Sequence, residues 1–175
     1  RLRGQITHFF HLAGAPNLVP TKFAETEVEP LAATRSALRL AQELDVSHFH
    51  HLSSVAVAGD HAGVFDESMY DEGQGFPSHM QESLHQAEGL VRNLESLDWR
   101  IYRPGIIVGN SVTGEMDSPS EPYLFFPVLK LMRDRLPNWT PLIGIDFGDT
   151  NIVPVDHVAH AMDYLAHAAD QEQQT

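Results

Sequence analysis

Apolar residues fall along this chain in two rhythms: short continuous runs, and longer stretches where they recur every three or four positions. The run Ile6-Thr7-His8-Phe9-Phe10-His11-Leu12 is closed by Ala13-Gly14-Ala15-Pro16, the pattern of a buried strand ending in a turn. A polar stretch from Asn17 to Pro30 reads as loop or a short helix. Leu31, Thr34, Leu38, Ala41 and Leu44 then keep helical spacing and predict a helix over about 31–44. A second strand is expected from His48 to Val55, running into Ala58-Gly59. Residues 60–77, rich in Gly, Asp, Glu and Pro, form a long loop of the kind that shapes sites. Met80, Leu84, Ala87, Val91 and Leu94 mark an amphipathic helix over about 79–97. Trp99 to Val108 reads as a third strand, broken by Arg103-Pro104-Gly105. After another polar loop come a helix over about 122–135, with Pro127 near its first turn, and a short strand around Asn151-Ile152-Val153. A last helix follows, for which Asp156 is well placed as N-cap.

Strands alternating with helices of this length indicate an α/β fold, a parallel sheet flanked by helices. At 175 residues the chain suits one domain with a sizeable core. With no cysteine, disulfides, thiolate metal sites and cysteine nucleophiles are excluded. The net charge of −13 argues against nucleic acid or an anionic membrane as partner, because phosphate binding needs clustered Lys and Arg. No apolar run approaches the roughly 20 residues of a membrane span. Arg1-Leu2-Arg3-Gly4 leads straight into a strand-like run, leaving no room for a signal peptide, so a cytoplasmic protein is expected.

Several constellations invite chemistry. His48 and His50 share one face of their strand and His51 takes the other, so a metal site would need a further ligand from elsewhere. These histidines read as polar strand positions, and no metal is expected. A Ser/His/Asp hydrolase lacks its Gly-x-Ser-x-Gly elbow. Arg103 fits two roles equally: meeting a cofactor or substrate anion, or forming an ion pair at the strand end.

Four stretches, taken together in order and spacing, resemble the extended short-chain dehydrogenase/reductases, nearest the male-sterility or thioester-reductase-like branch. They are Phe10-His11-Leu12-Ala13-Gly14, His51-Leu52-Ser53-Ser54-Val55-Ala56-Val57-Ala58-Gly59, Tyr102-Arg103-Pro104-Gly105-Ile106-Ile107-Val108-Gly109 and Asn151-Ile152-Val153-Pro154-Val155-Asp156-His157-Val158-Ala159. The resemblance implies a partial Rossmann fold that starts at about the family's fourth strand, lacking the first strands. Residues 1–175 would form one NAD(P)-binding domain with a substrate-lobe excursion at about 110–150. It also implies hydride transfer between NAD(P)H and a carbonyl or thioester carbon of a small-molecule substrate. Leu12, Ala13, Gly14, Ser53, Pro104 and Ile107 would rest against the cofactor, and Ser54 would orient the substrate oxygen.

Two parts of that chemistry are missing from the sequence. The family's general acid is a tyrosine whose pKa is lowered by a lysine four residues on, a spacing that puts both on one helical face. In the family register those positions are Met80 and Leu84. The residues four after Tyr70, Tyr102, Tyr123 and Tyr164 are Gln74, Ile106, Pro127 and Ala168, so no Tyr-x-x-x-Lys exists anywhere in the chain. Met80 and Leu84 instead extend the apolar stripe of their helix, and His79 or His85 is the alternative proton carrier. The glycine-spaced phosphate turn is also absent: Gly73-x-Gly75 is followed by Ser78, and Gly105-x-x-x-Gly109 lacks the strand-to-helix setting. Ala33 and Pro30 stand where the family usually has Gly and Asn.

A catalytically impaired reductase-like domain, a pseudoenzyme, is therefore expected. The alternative is a non-catalytic module binding a partner chain or a nucleotide. Without its neighbouring strand, the edge near His8 to Leu12 would be an apolar template for pairing with another chain or a second copy.

Overall fold

The computed structural model describes residues 2–12, 29–116, 126–135 and 151–172. In chain order its elements are β1 (His8–His11), α1 (Pro30–Leu44), β2 (His48–Leu52), a 3-10 turn (Val55–Ala58), α2 (His79–Arg92), β3 (Asp98–Tyr102), β4 (Ile106–Val108), α3 (Phe126–Arg135), β5 (Ile152–Pro154) and α4 (Val155–Glu172). The strands β1, β2 and β3 lie side by side in that order, all parallel, and β4 pairs in parallel with β5 in a second sheet. This is the expected α/β architecture of parallel strands flanked by helices.

Register explains the layers. Phe9, Phe49 and Trp99 are in line across the first sheet, and side chains alternate faces along each strand. On the face carrying those rings, Phe49 is fully buried with Leu38, Ala41 and Val46 from α1 and its following turn and Val91 from α2. The Phe9 and Phe49 rings stack with centroids 5.5 Å apart. Burying a ring of that size contributes about 1.5–3 kcal/mol, so this layer anchors the fold. The other face of the same sheet carries His8, Phe10, His48, His50, Arg100 and Tyr102.

Helix ends follow local chemistry. Pro30 opens α1, where its missing N–H costs nothing, and Glu29 caps the helix by accepting from Ala32 N–H at 3.0 Å. Ser78 caps α2 by accepting from Gln81 N–H. The α2 helix stops at Arg92 rather than near residue 97, because Asn93 folds both its backbone N–H and its side-chain amide onto the Gly89 carbonyl. Leu94 and Leu97 still pack on the core, but from the turn.

Three expectations need correction. The stretch Trp99 to Val108 is two strands in two sheets, not one broken strand. At Gly105 the chain passes so close to Asn151 that a Cβ would sit 2.3 Å from the Asn151 carbonyl oxygen, and Ile106 N–H bonds to that oxygen at 2.7 Å. Second, β2 ends at Leu52, and Val55 begins a 3-10 turn instead of closing a strand. Third, α4 begins at Val155, so Asp156 lies inside its first turn; its carboxylate accepts from Ser111 N–H at 2.8 Å and Ser111 Oγ–H at 2.6 Å. The histidines expected as polar strand positions include two interior residues, His50 and His51, which are 1% and 2% exposed.

The turn at Ala13-Gly14, the stretch 17–28, the expected helix start at 122–125 and most of the 110–150 excursion lie outside the described residues. Among the described residues no helix is long and apolar enough to cross a membrane.

Candidate functional site

In a parallel α/β sheet, ligands gather at the carboxyl ends of the strands. Here that edge is formed by Leu12 after β1, Ser53 and Ser54 after β2, and Arg103 and Pro104 after β3. Backbone bonds join the last two: Ser53 N–H donates to the Tyr102 carbonyl at 2.8 Å, and Val55 N–H to the Pro104 carbonyl at 3.1 Å. Leu12 is exposed at the end of β1, while Ile107 sits in β4, opposite Val153 of β5. Ala13 and Gly14 are outside the described residues.

The two serines do different work. Ser54 is half-buried, and its Oγ accepts from Ala56 N–H at 3.2 Å, capping the 3-10 turn. A hydroxyl used as an acceptor keeps its own O–H for a second partner. Ser53 is 2% exposed and its Oγ donates to Glu88 at 2.8 Å, so this hydroxyl points into the protein. Any contribution of Ser53 to a cofactor wall is therefore backbone.

Met80 and Leu84 stand one turn apart on α2. Leu84 is 1% exposed, packed in the interior, and Met80 is half-buried. Neither side chain can donate a proton or carry charge. His85, an alternative carrier, is tied elsewhere: its ring stacks on Tyr70 at 4.3 Å, and its Nε2 lies 3.2 Å from the Tyr70 carbonyl oxygen. His79 is exposed at the first position of α2.

The strongest polar feature of the site was not singled out from sequence. Glu88 is fully buried on the inner face of α2, yet charged partners converge on it. Arg103 grips it with Nη2 at 2.6 Å and Nε at 3.1 Å, Arg92 Nε donates at 2.8 Å, and Ser53 supplies the fourth bond. Burial alone would push the Glu88 carboxyl up; the bonds from Arg103, Arg92 and Ser53 outweigh it and hold the group below the usual carboxylate range. A readable signal was present: Glu88 falls within the apolar stripe, four residues before Arg92, and a carboxylate on a buried face demands a cation.

Arg103 thereby takes neither of its two expected roles alone. It is an ion-pair partner, but a buried one, with a side chain only 11% exposed. Its Nη1 donates to the Asp66 carbonyl and its Nη2 also to the Met69 carbonyl, and Arg92 reaches the Glu67 carbonyl. The long loop before α2 is thus held down by two arginines that Glu88 holds in place. Tyr70 completes the attachment by donating to the His85 carbonyl at 3.0 Å, passing over Gly89, where a Cβ would stand 2.1 Å from the phenol oxygen.

On the α1 side, Ser83 Oγ donates to Glu29 at 2.6 Å and accepts from Leu31 N–H, clamping the starts of α1 and α2 together. The bond from Ser83 holds the Glu29 carboxyl below its ordinary range. His11 is buried against Thr34 at 2.9 Å and stacks on His51, whose two ring nitrogens find no hydrogen-bond partner among the described residues. Burial pushes His51 down to about 4. No group of three or more His, Asp or Glu among the described residues could hold a metal ion.

Tested against a dinucleotide, these residues fit in part. Leu12, Pro104 and Ile107 are apolar, as a nicotinamide wall requires, but they stand after β1, after β3 and in β4 of the second sheet. None of the described glycines lies in a strand-to-helix turn of the form that cradles a pyrophosphate.

The family described as male sterility protein matches residues 1–162. The chain belongs to that family. No curated protein matches it significantly. Among solved structures, it is similar to UDP-glucuronic acid 4-epimerase from Bacillus cereus, in complex with UDP-glucuronic acid and NAD, at TM-score 0.62 and 18% identity over 93% of this chain and 50% of that one. It is also similar to UDP-N-acetylglucosamine 4-epimerase from Methanobrevibacter ruminantium M1, in complex with UDP-N-acetylmuramic acid, at TM-score 0.56 and 16% identity, covering 89% and 49%. At such identities the likeness is one of fold: this male sterility family member carries part of the NAD-binding Rossmann fold of the extended short-chain dehydrogenase/reductases. It spans about half the length of those structures.

Proposed function

We propose that this chain is an NAD(P)-dependent reductase scaffold of the thioester-reductase kind whose proton-transfer step has been lost. One observation carries the proposal: Met80 and Leu84, the positions matched to the family's tyrosine and lysine, form part of a packed apolar face, with Leu84 1% exposed. A cofactor held at the strand ends would supply the hydride. Leu12, Ala13, Gly14, Ser53, Pro104 and Ile107 would form its wall, and Ser54 would orient a carbonyl oxygen of a small-molecule substrate. No group on α2 would then hand that oxygen a proton. Residues 1–175 are read as one domain with a substrate-lobe excursion at about 110–150, in a cytoplasmic setting. The 175 residues contain no glycine-spaced phosphate turn, so the chain by itself is expected to hold a dinucleotide only weakly.

The test is oxidation of NADPH or NADH by the purified chain with a fatty aldehyde or an acyl thioester. The expected rate equals that without protein. Turnover that saturates in substrate and falls in Ser54→Ala would overturn the proposal.

A second reading, a non-catalytic partner-binding module, is favoured by the β1 edge. Among the described residues β1 pairs with β2 alone, and Phe10 and Leu12 beside that edge are 41% and 52% exposed. A sheet edge of this kind invites pairing with another strand. Sedimentation decides between them: self-association or a stable complex supports the module, and a monodisperse monomer with cooperative melting counts against it.

A further inference from the structure

Residues 60–75 close into a ring of chain. Asp60 N–H donates to the Gly75 carbonyl at 3.0 Å, and Gly75 N–H returns to the Asp60 carboxylate at 2.6 Å. The ends meet there because Gly59 turns the backbone at φ 55° and ψ −128°, and a Cβ on it would stand 2.3 Å from the Gly75 carbonyl oxygen. Within the ring Gln74 acts as a brace: its Oε1 accepts from Glu72 N–H at 2.8 Å, and its Nε2 donates to the Tyr70 carbonyl at 2.8 Å. Met69 N–H closes a turn on the Asp66 carbonyl at 3.2 Å. A segment with its ends together and its own internal bonds is a compact Ω-loop.

Polar bonds fasten this loop to the body. Arg103 takes the Asp66 and Met69 carbonyls, Arg92 the Glu67 carbonyl, Tyr70 donates to the His85 carbonyl, and Gln74 Nε2 donates to the Val57 carbonyl at 3.0 Å. Ring contacts add to them: Tyr70 stacks on His85 and lies 5.1 Å from the Arg92 guanidinium, and Phe65 lies 5.1 Å from that of Arg103. No residue of 60–75 is fully buried, whereas α1, α2 and β2 share the Phe49 core. A segment with few buried apolar contacts opens at lower cost than elements that share a core.

The fastenings are coupled to one another. Met69 and Tyr70 are adjacent, so lifting the Tyr70 ring off Gly89 also draws the Met69 carbonyl from Arg103 and the Tyr70 carbonyl from Gln74. Glu88 holds both arginines, and Ser53 ties the same carboxylate to the end of β2. Loss of one anchor weakens the next, which favours release of the whole loop over fraying of its parts.

We propose that residues 60–75 are a strap that opens and closes as one unit about Gly59 and Gly75, latched by Tyr70 over Gly89 and by the two arginines that Glu88 holds. The strap joins the 3-10 turn capped by Ser54 to the start of α2, and Gln74 bonds directly to that turn at Val57. Its opening therefore loosens the side of the strand ends on which the two serines stand. Use of the motion as a gate for a substrate at Ser54 rests on the reductase reading above; the motion itself does not.

Amide hydrogen exchange on the full chain, over a series of low urea concentrations, tests this without cofactor or substrate, so its failure is distinct from failure of the reductase reading. The N–H groups of Asp60, Met69, Glu72 and Gly75 are expected to share one opening equilibrium and one urea dependence. That opening should be about tenfold or more as populated as the one that exposes Ala41 and Val91. Tyr70→Phe, which keeps the ring and removes its bond to His85, should speed all four by one common factor, about two- to twelvefold. Leu38→Val in the core should speed Ala41 and Val91 and leave the four unchanged, because the core stays intact when only the strap opens. Four different equilibria in the unmodified chain, or strap exchange that follows the core in Leu38→Val, would overturn the proposal. Should either variant fail to fold, the shared or separate urea dependence of the unmodified chain decides the matter.

Discussion

Arg103 holds both carboxylate oxygens of Glu88, at 2.6 and 3.1 Å, and with its remaining donors fastens the loop that precedes α2. The ion pair ties the end of β3 to the middle of α2, and Ser53 brings in the end of β2. Shape at the strand ends therefore depends on one buried carboxylate.

Glu88→Ala is expected to destabilise the chain by about 3–5 kcal/mol, because it strands Arg103 in a desolvated setting. Urea unfolding monitored by circular dichroism measures the loss. Limited proteolysis should then cut within residues 60–77, released from both arginines. A loss below about 1 kcal/mol would mean that Arg103 finds water or another acceptor at no cost.

Gly89→Ala should also destabilise, although alanine is ordinarily favoured over glycine within a helix by about 1 kcal/mol. The added methyl would stand 2.1 Å from the Tyr70 oxygen, forcing out the ring that pins the loop. A net loss of about 1–3 kcal/mol is expected from such overpacking. In Tyr70→Ala the same substitution should become stabilising, and a double-mutant cycle in urea reads the difference.

Acid should weaken the fold through its buried imidazoles. Burial lowers the rings of His50 and His51 to about 4 each. An unfolded imidazole takes its proton near 6.5, so between those values the unfolded chain binds more protons than the native one. Stability is complete above about pH 6.5 and falls as pH drops toward 4, by up to roughly 1.4 kcal/mol per pH unit for each ring. His51→Leu, which also removes two nitrogens unpartnered among the described residues, should reduce that slope and raise the urea midpoint at about pH 5.

Leu84→Lys alone should cost on the order of 3 kcal/mol, since it sets an ammonium in a position that is 1% exposed. Met80→Tyr, at a half-buried site, should be tolerated. Thermal melts of the single and paired variants check both. If the pair folds and gains reductase activity, the rest of the site has persisted; if it folds without activity, the decay extends beyond α2.

Much of this fold was legible because periodicity reports burial. The core positions Leu38, Ala41 and Phe49 follow from spacing in α1 and alternation in β2. The end of α2 was not, since Leu94 and Leu97 keep the apolar pattern while Asn93 turns the backbone away. Nor was the split at Gly105, which depends on Asn151 arriving from 46 residues downstream. Ser53 and Ser54 lie just past the end of β2 rather than within it, and adjacency could not say that one hydroxyl faces Glu88 and the other caps a turn. The Glu88 cluster joins residues 15 and 35 positions apart, a juxtaposition that only the folded sheet creates. The burial of His50 and His51 was hidden for a different reason: imidazole fits both surface and interior, and stacking on ring neighbours across strands settles which.

The most direct measurement is a titration of the purified chain with NADH and NADPH, followed by nicotinamide fluorescence and calorimetry. A reductase scaffold lacking its phosphate grip predicts no saturable binding of either nucleotide up to about millimolar concentration. Saturable binding at micromolar concentration would contradict it, showing that the strand-end wall holds the cofactor without a glycine turn.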